Sequence, residues 1–170
     1  MVYLTFIKRA EIGAEGWFLP KNMQQLYSLA IFVEKKCGKP SSLICAEDEG
    51  CIASAKLVNL VFATRGIQVT STLSDKAYAG QSEQFIRDLL SKAEVQMPQH
   101  LVVILAPKQF EKFTLGQNSF AIGYINSSEN WRKMYLCAEK HPVMAGAVPA
   151  QEIDENRLRL FIDSLEQLPY

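Results

Sequence analysis

The chain has no excess of either charge. Eighteen Lys and Arg stand against eighteen Asp and Glu, so no overall field favours a nucleic-acid backbone or an anionic membrane, and neither is an expected partner. Long apolar runs are missing too. Val2–Ile7 and Leu101–Ala106 are of strand length, and the first is followed at once by Lys8 and Arg9, which suits neither a signal peptide nor a spanning helix. A cytoplasmic location is the expectation. The glycines form neither G-x-G-x-x-G nor G-x-x-x-x-G-K, so neither a dinucleotide site nor a P-loop is supported and no cofactor is expected. The four cysteines, Cys37, Cys45, Cys51 and Cys137, lack C-x-x-C spacing and histidine neighbours. They read as core thiols, and no metal site is expected. Histidine itself is scarce: only His100 and His141 occur.

What the chain does have is core. With 170 residues and 48% apolar content it is long enough to bury one sizeable interior, which predicts a single domain over 1–170. Val2–Ile7 is apolar on both faces, as expected of a central strand covered from both sides. Past a loop with Gly13, Gly16 and Pro20, the spacing of Met23, Leu26, Ala30 and Val33 predicts a helix over about Asn22–Cys37, ended by Gly38 and Pro40. A second strand is expected at Ser42–Ala46. A helix follows at about Cys51–Thr64, with Glu47, Asp48 and Glu49 suiting its positive end, and then a third strand at Ile67–Thr70.

Ser82–Phe85 opens an amphipathic helix that Met97-Pro98 closes. Leu101–Ala106, the most apolar run, belongs near the sheet centre and is interrupted by Pro107. Ser119–Ile125 and Lys133–Ala138 read as an antiparallel hairpin, and Ile153–Leu168 as a terminal helix. The expected fold class is α/β: a three-layer α/β/α domain whose central sheet is mostly parallel, with an antiparallel hairpin near the C-terminus.

This order of elements, with several short matches, resembles the histidine phosphatase superfamily, in its small phosphohistidine phosphatase (SixA-like) branch. The resemblance runs over roughly Val2–Leu136. It implies a first strand ending in Arg-His, but the run here is Ile7-Lys8-Arg9-Ala10-Glu11, with arginine where the nucleophilic histidine would stand. It implies a phosphate-binding arginine at the start of the second helix, where Gly50 stands after Glu47-Asp48-Glu49. It implies a histidine after the apolar fourth strand, where Pro107 stands. No Arg-His dipeptide occurs anywhere in the chain.

Guanidinium stays protonated and offers only donors, so Arg9 cannot replace an attacking imidazole. His100 precedes the apolar strand, at the end of the sheet away from any crevice at the strand C-termini, and reads as a surface residue. His141 follows the last strand, and its place relative to Lys8 and Arg9 is open. Cys45 and Cys51 flank the acidic stretch, whose carboxylates would raise a thiol pKa, the reverse of what a reactive cysteine needs.

Lys8, Arg9 and Lys108 fall at the ends of adjacent strands and are the candidate anion-binding residues; pairing with Glu11 and Glu47–Glu49 would neutralise them instead. Trp17, Phe18 and Trp131 lie in predicted loops, either as anchors for a partner or folded back on the domain. The resemblance and its missing residues together imply a catalytically inactive domain that binds a protein partner or a small anionic ligand. An active phosphatase with a relocated nucleophile, at His141 or a cysteine, is the alternative.

Overall fold

A computed structural model describes residues 2–13, 18–46, 48–69, 84, 87–88, 90–91, 99–114, 120–126, 129–138, 151–156 and 158–160. Its centre is a six-stranded sheet built from β1 (Val2–Lys8), β2 (Ser42–Cys45), β3 (Gln99–Leu105), β4 (Phe120–Ile125), β5 (Met134–Ala138) and β6 (Gln151–Glu152), in the order β2-β3-β1-β4-β5-β6. Every residue of β3 is buried, and the largely buried β1 lies between β3 and β4. The two most apolar runs of the sequence therefore form the interior of the sheet, where neither face meets water.

Pairing changes character at β1. On one side β1, β3 and β2 run parallel, with Leu4 opposite Leu101 and Ile44 opposite Val103. On the other side β4 pairs antiparallel with β1, β5 with β4 and β6 with β5. The expected hairpin is present as β4 and β5, and the antiparallel part extends beyond it through β4 on β1 and the short β6. Gln151–Glu152 is only two residues long, too short to show the alternation that marks a strand in sequence.

Among the described residues, the sheet is framed by α1 (Pro20–Cys37), α2 (Glu49–Thr64) and α3 (Pro107–Thr114). In α1, Leu26, Ala30, Val33 and Cys37 recur at helical spacing and are buried. Alternation along β1 sends Thr5 and Ile7 to one face and Phe6 to the other. Thr5 Oγ1 lies 4.0 Å from Cys37 Sγ, and Phe32 meets Phe120, the partner of Ile7, with ring centroids 5.7 Å apart. Helix α1 thus lies on the Thr5 face, packed beside α2. Phe6 meets Phe113 of α3 at 4.5 Å on the opposite face.

Proline starts two of these helices. Pro20 opens α1 and Pro107 opens α3, where a missing N–H leaves no helical bond unmade. Pro107 therefore does more than interrupt β3: it begins a helix that the sequence reading did not assign. The strand expected at Ile67–Thr70 is not formed over 67–69. Gly66 adopts φ 74° and donates its N–H to Ala63 O, while Ile67 donates to Phe62 O at 3.0 Å. This is a Schellman closure of α2, and it takes the amide that a strand would have offered to a ladder. Thr70 lies outside the described residues.

His100 is also a correction, because it is 1% exposed and not a surface residue. It sits at the N-terminal end of β3, away from the strand C-termini, but beneath the C-terminal end of α1. There Nδ1 donates to Gly38 O at 3.0 Å, which fixes the neutral tautomer, and the Thr5 hydroxyl donates to Nε2 at 2.6 Å. The backbone carbonyl of His100 accepts from Ser41 N–H at 2.8 Å. A buried imidazole with both nitrogens paired ties β1, α1 and the turn into β2 together.

In the predicted helical segments, Gln84, Arg87, Asp88, Leu90 and Ser91 are helical, as are Glu155, Asn156 and 158–160; the rest of those segments lies outside the described residues. Trp131 folds back and is buried, with the Arg87 and Arg132 guanidinium groups 5.9 and 5.0 Å from its ring. Phe18 is half-buried and bridges to Ile12; Trp17 lies outside the described residues. Among the described residues no helix is long and apolar enough to cross a membrane.

Glycine is required at one strand position for space. A Cβ on Gly123 would stand 2.6 Å from the carbonyl oxygen of Tyr135 on β5, a backbone atom that cannot swing aside. Gly123→Ala is expected to cost about 1–3 kcal/mol by forcing β4 and β5 apart. The denaturation midpoint would fall, with loss of the Tyr124–Tyr135 stack, now at 5.1 Å, visible in near-UV circular dichroism.

Candidate functional site

Parallel strands β1, β3 and β2 end on the same side, and a cleft of about 1000 Å³ opens there beside β1. Its base is the end of β1, Lys8, followed by Arg9, Ala10 and Glu11. One wall is the N-terminal half of α1, whose Lys21, Asn22, Gln24, Gln25 and Ser28 share a helical face and continue into Leu29 and Phe32. The other wall is α3, through Pro107 and Glu111. Asn22 Nδ2 donates to Glu11 O at 3.0 Å, which ties the start of α1 to the segment leaving β1.

The sequence candidates separate here. Lys8 and Arg9 both line the cleft; Lys108 is exposed on α3 and is not among the lining residues. Lys8 Nζ lies 4.0 Å from Glu111 Oε1 and 5.7 Å from the centroid of the Phe110 ring. That is a loose pair across the cleft, and such a partly exposed contact stabilises little.

Arg9 is held differently. Its amide continues the parallel ladder, donating to Leu105 O at 3.0 Å, and its side chain turns toward the start of α2. Nε stands 2.6 Å from Asp48 Oδ2, and both atoms are shielded from solvent, although the N–H does not point along the line a hydrogen bond needs. Nη1 makes a long contact to Ala10 O at 3.4 Å.

The guanidinium lies over Gly50, where a Cβ would stand 2.6 Å from Nη1 and 2.8 Å from Cδ. Beside it, Ala10 N–H donates to Ser54 Oγ at 3.0 Å. The end of β1 is thus joined to the first turns of α2 by one ion pair and one hydrogen bond. Asp48 takes the N-cap position of α2 but makes no side-chain cap bond, and its carboxylate faces both the arginine and the Cys51 thiol.

None of the described thiols suits nucleophilic work. Burial pushes the Cys37 thiol up to about 11, against smaller opposing effects of the Thr5 hydroxyl 4.0 Å away and the charge of Lys36. Burial raises Cys45 as well. Cys51 is raised first by burial and then by Asp48, whose carboxylate acts in the expected direction but is not the leading cause. The side chain of Cys137, His141 and Glu47 lie outside the described residues. His100 is buried at the far end of the sheet. Among the described residues no group of three or more His, Cys, Asp and Glu could hold a metal ion.

Sequence reasoning missed Lys21 and the direct partnership of Arg9 with Asp48. Helical phase carried a signal for the first, since Lys21, Gln24, Gln25 and Ser28 are one face of α1. The second depends on how β1 meets α2, which no local spacing encodes. No family model matches the sequence, and no curated protein does.

Proposed function

We propose that this domain is a non-catalytic binding module of histidine-phosphatase-like descent that holds a small anion-bearing ligand in the cleft beside β1. The observation that carries the proposal is the lining itself. Among the described residues it offers Lys8 and Lys21, the amides of Asn22, Gln24 and Gln25, and an apolar part at Leu29 and Phe32, with neither imidazole nor thiol. Charged and amide groups beside apolar surface orient and bind; a covalent phosphoryl transfer needs a nucleophile as well. On the resemblance, the nucleophile's position falls to Arg9, a cation paired with Asp48.

The test has two arms. Phenyl phosphate and a phosphohistidine peptide are expected to show no turnover above buffer, whereas benzoate is expected to perturb the amide resonances of Lys8, Lys21 and Gln25. Removing both ammonium groups, in Lys8→Ala with Lys21→Ala, should weaken benzoate binding by about tenfold or more, the scale of one or two charge-assisted contacts. Turnover that His141→Ala abolishes would overturn the reading, as would benzoate binding indifferent to both lysines.

A further inference from the structure

We infer that Asp48 is the residue that sets the anion specificity of this cleft: by occupying Arg9 it turns the site away from dianionic phosphate and toward singly charged anions such as carboxylates. The inference rests on the binding reading above and adds to it the class of ligand. Among the described residues three cations, Lys8, Arg9 and Lys21, reach the cleft, and Glu11 and Glu111 line it with them. Asp48 supplies the third carboxylate, 2.6 Å from Arg9 Nε, so three positive charges meet three negative ones. A dianion entering this site finds no net field to offset its desolvation, while a monoanion needs only one of the ammonium groups.

Asp48 is not itself among the residues lining the cleft; it acts through Arg9, the one lining guanidinium and the group a phosphate would draw on. A guanidinium recognises phosphate through its planar fork of donors, and Arg9 lies directly over Gly50 in the first turn of the sixteen-residue α2, where partial positive charge collects. The Asp48 carboxylate stands at that junction as an internal counter-ion. Its contact with Arg9 is close but out of line for a hydrogen bond, and its side chain caps no amide of α2. Asparagine at this position removes the charge, keeps an oxygen to accept from the Cys51 thiol in the first turn of α2, and frees the guanidinium to donate elsewhere.

The experiment measures phenyl phosphate and benzoate binding to the full chain by calorimetry, for wild type, Asp48→Asn, and Asp48→Asn with Arg9→Ala. Asp48→Asn is expected to bind phenyl phosphate at least about tenfold more tightly than wild type, with benzoate changed by less than about threefold, and the gain should vanish when Arg9 is also removed. A folded Asp48→Asn protein with no gain for phenyl phosphate overturns the inference. So does an equal gain for both probes, or a gain that survives Arg9→Ala. Asp48→Ser, an uncharged N-cap, serves the same comparison if circular dichroism shows Asp48→Asn to be unfolded. Wild type that binds neither probe overturns the binding reading and the inference that rests on it, whereas wild type that binds benzoate, with no gain for phenyl phosphate in Asp48→Asn, overturns the inference alone.

Discussion

Acidification from pH 7 to about 4 is expected to lower the unfolding free energy by about 3 kcal/mol through His100 alone. Burial disfavours the imidazolium and lowers the His100 pKa from 6.5 to about 4, against a smaller opposing effect of the hydrogen bond to Gly38 O. Between those two values the unfolded chain binds a proton that the folded one does not, so stability rises with pH across the window. The contribution is complete above about 6.5, declines as pH falls, and is exhausted below the folded value. Protonation would also turn Nε2 into a donor facing the Thr5 hydroxyl that now donates to it at 2.6 Å. Urea unfolding at half-unit steps from pH 7.5 to 4.5 should show the slope. His100→Gln should lower stability at pH 7 and flatten the slope; a slope unchanged in that variant would assign the acid sensitivity elsewhere.

His100 also marks where sequence reasoning met its limit. Its position at the start of β3, opposite the crevice, follows from chain direction and parallel pairing. Its burial does not, because the groups that accept it come from Thr5, ninety-five residues away, and Gly38, sixty-two away. The strands with continuous apolar runs were legible because burial on both faces leaves a local trace, as in Val2–Lys8 and Gln99–Leu105. Ile67–Val69 looked like a strand on composition, but its first amide closes α2, and β-branched composition cannot tell a closure from a ladder. Pro107 was read as a stop although it is a start, since proline at a boundary suits both the end of a strand and the first residue of a helix.

The candidate site was half legible for the same reason. Lys8 and Arg9 follow directly from the end of β1, so their placement at the strand C-termini came with the strand. Which of them is available to a ligand depends on Asp48, brought in by the turn between β2 and α2. The sequence reading weighed neutralisation by an acidic stretch against anion binding as alternatives. In the structure neutralisation falls on Arg9, while Lys8 has a long contact with Glu111 and lies over the Phe110 ring. The charge balance of the whole chain foreshadowed neither outcome, because steering by a site depends on the few groups that face it.

The cleft depends on the core beneath it, and Phe6→Ala is expected to show how strongly. Phe6 is fully buried and meets Phe113 of α3 at 4.5 Å, and α3 supplies Pro107 and Glu111 to the cleft wall. Truncation leaves a cavity between the sheet and α3 and should cost about 3–5 kcal/mol. For a domain of this size that is a fall in Tm on the order of 10 °C. Phe6→Leu, which fills most of the volume, should cost less than about 1.5 kcal/mol. Because α1 rests on the opposite face, through Thr5, Cys37 and Phe120, its amide protection should survive Phe6→Ala better than that of α3. Hydrogen exchange under native conditions reads this difference. Equal loss of protection in α1 and α3 would mean that the two faces of the sheet unfold as one unit, and that the walls of the cleft cannot move independently.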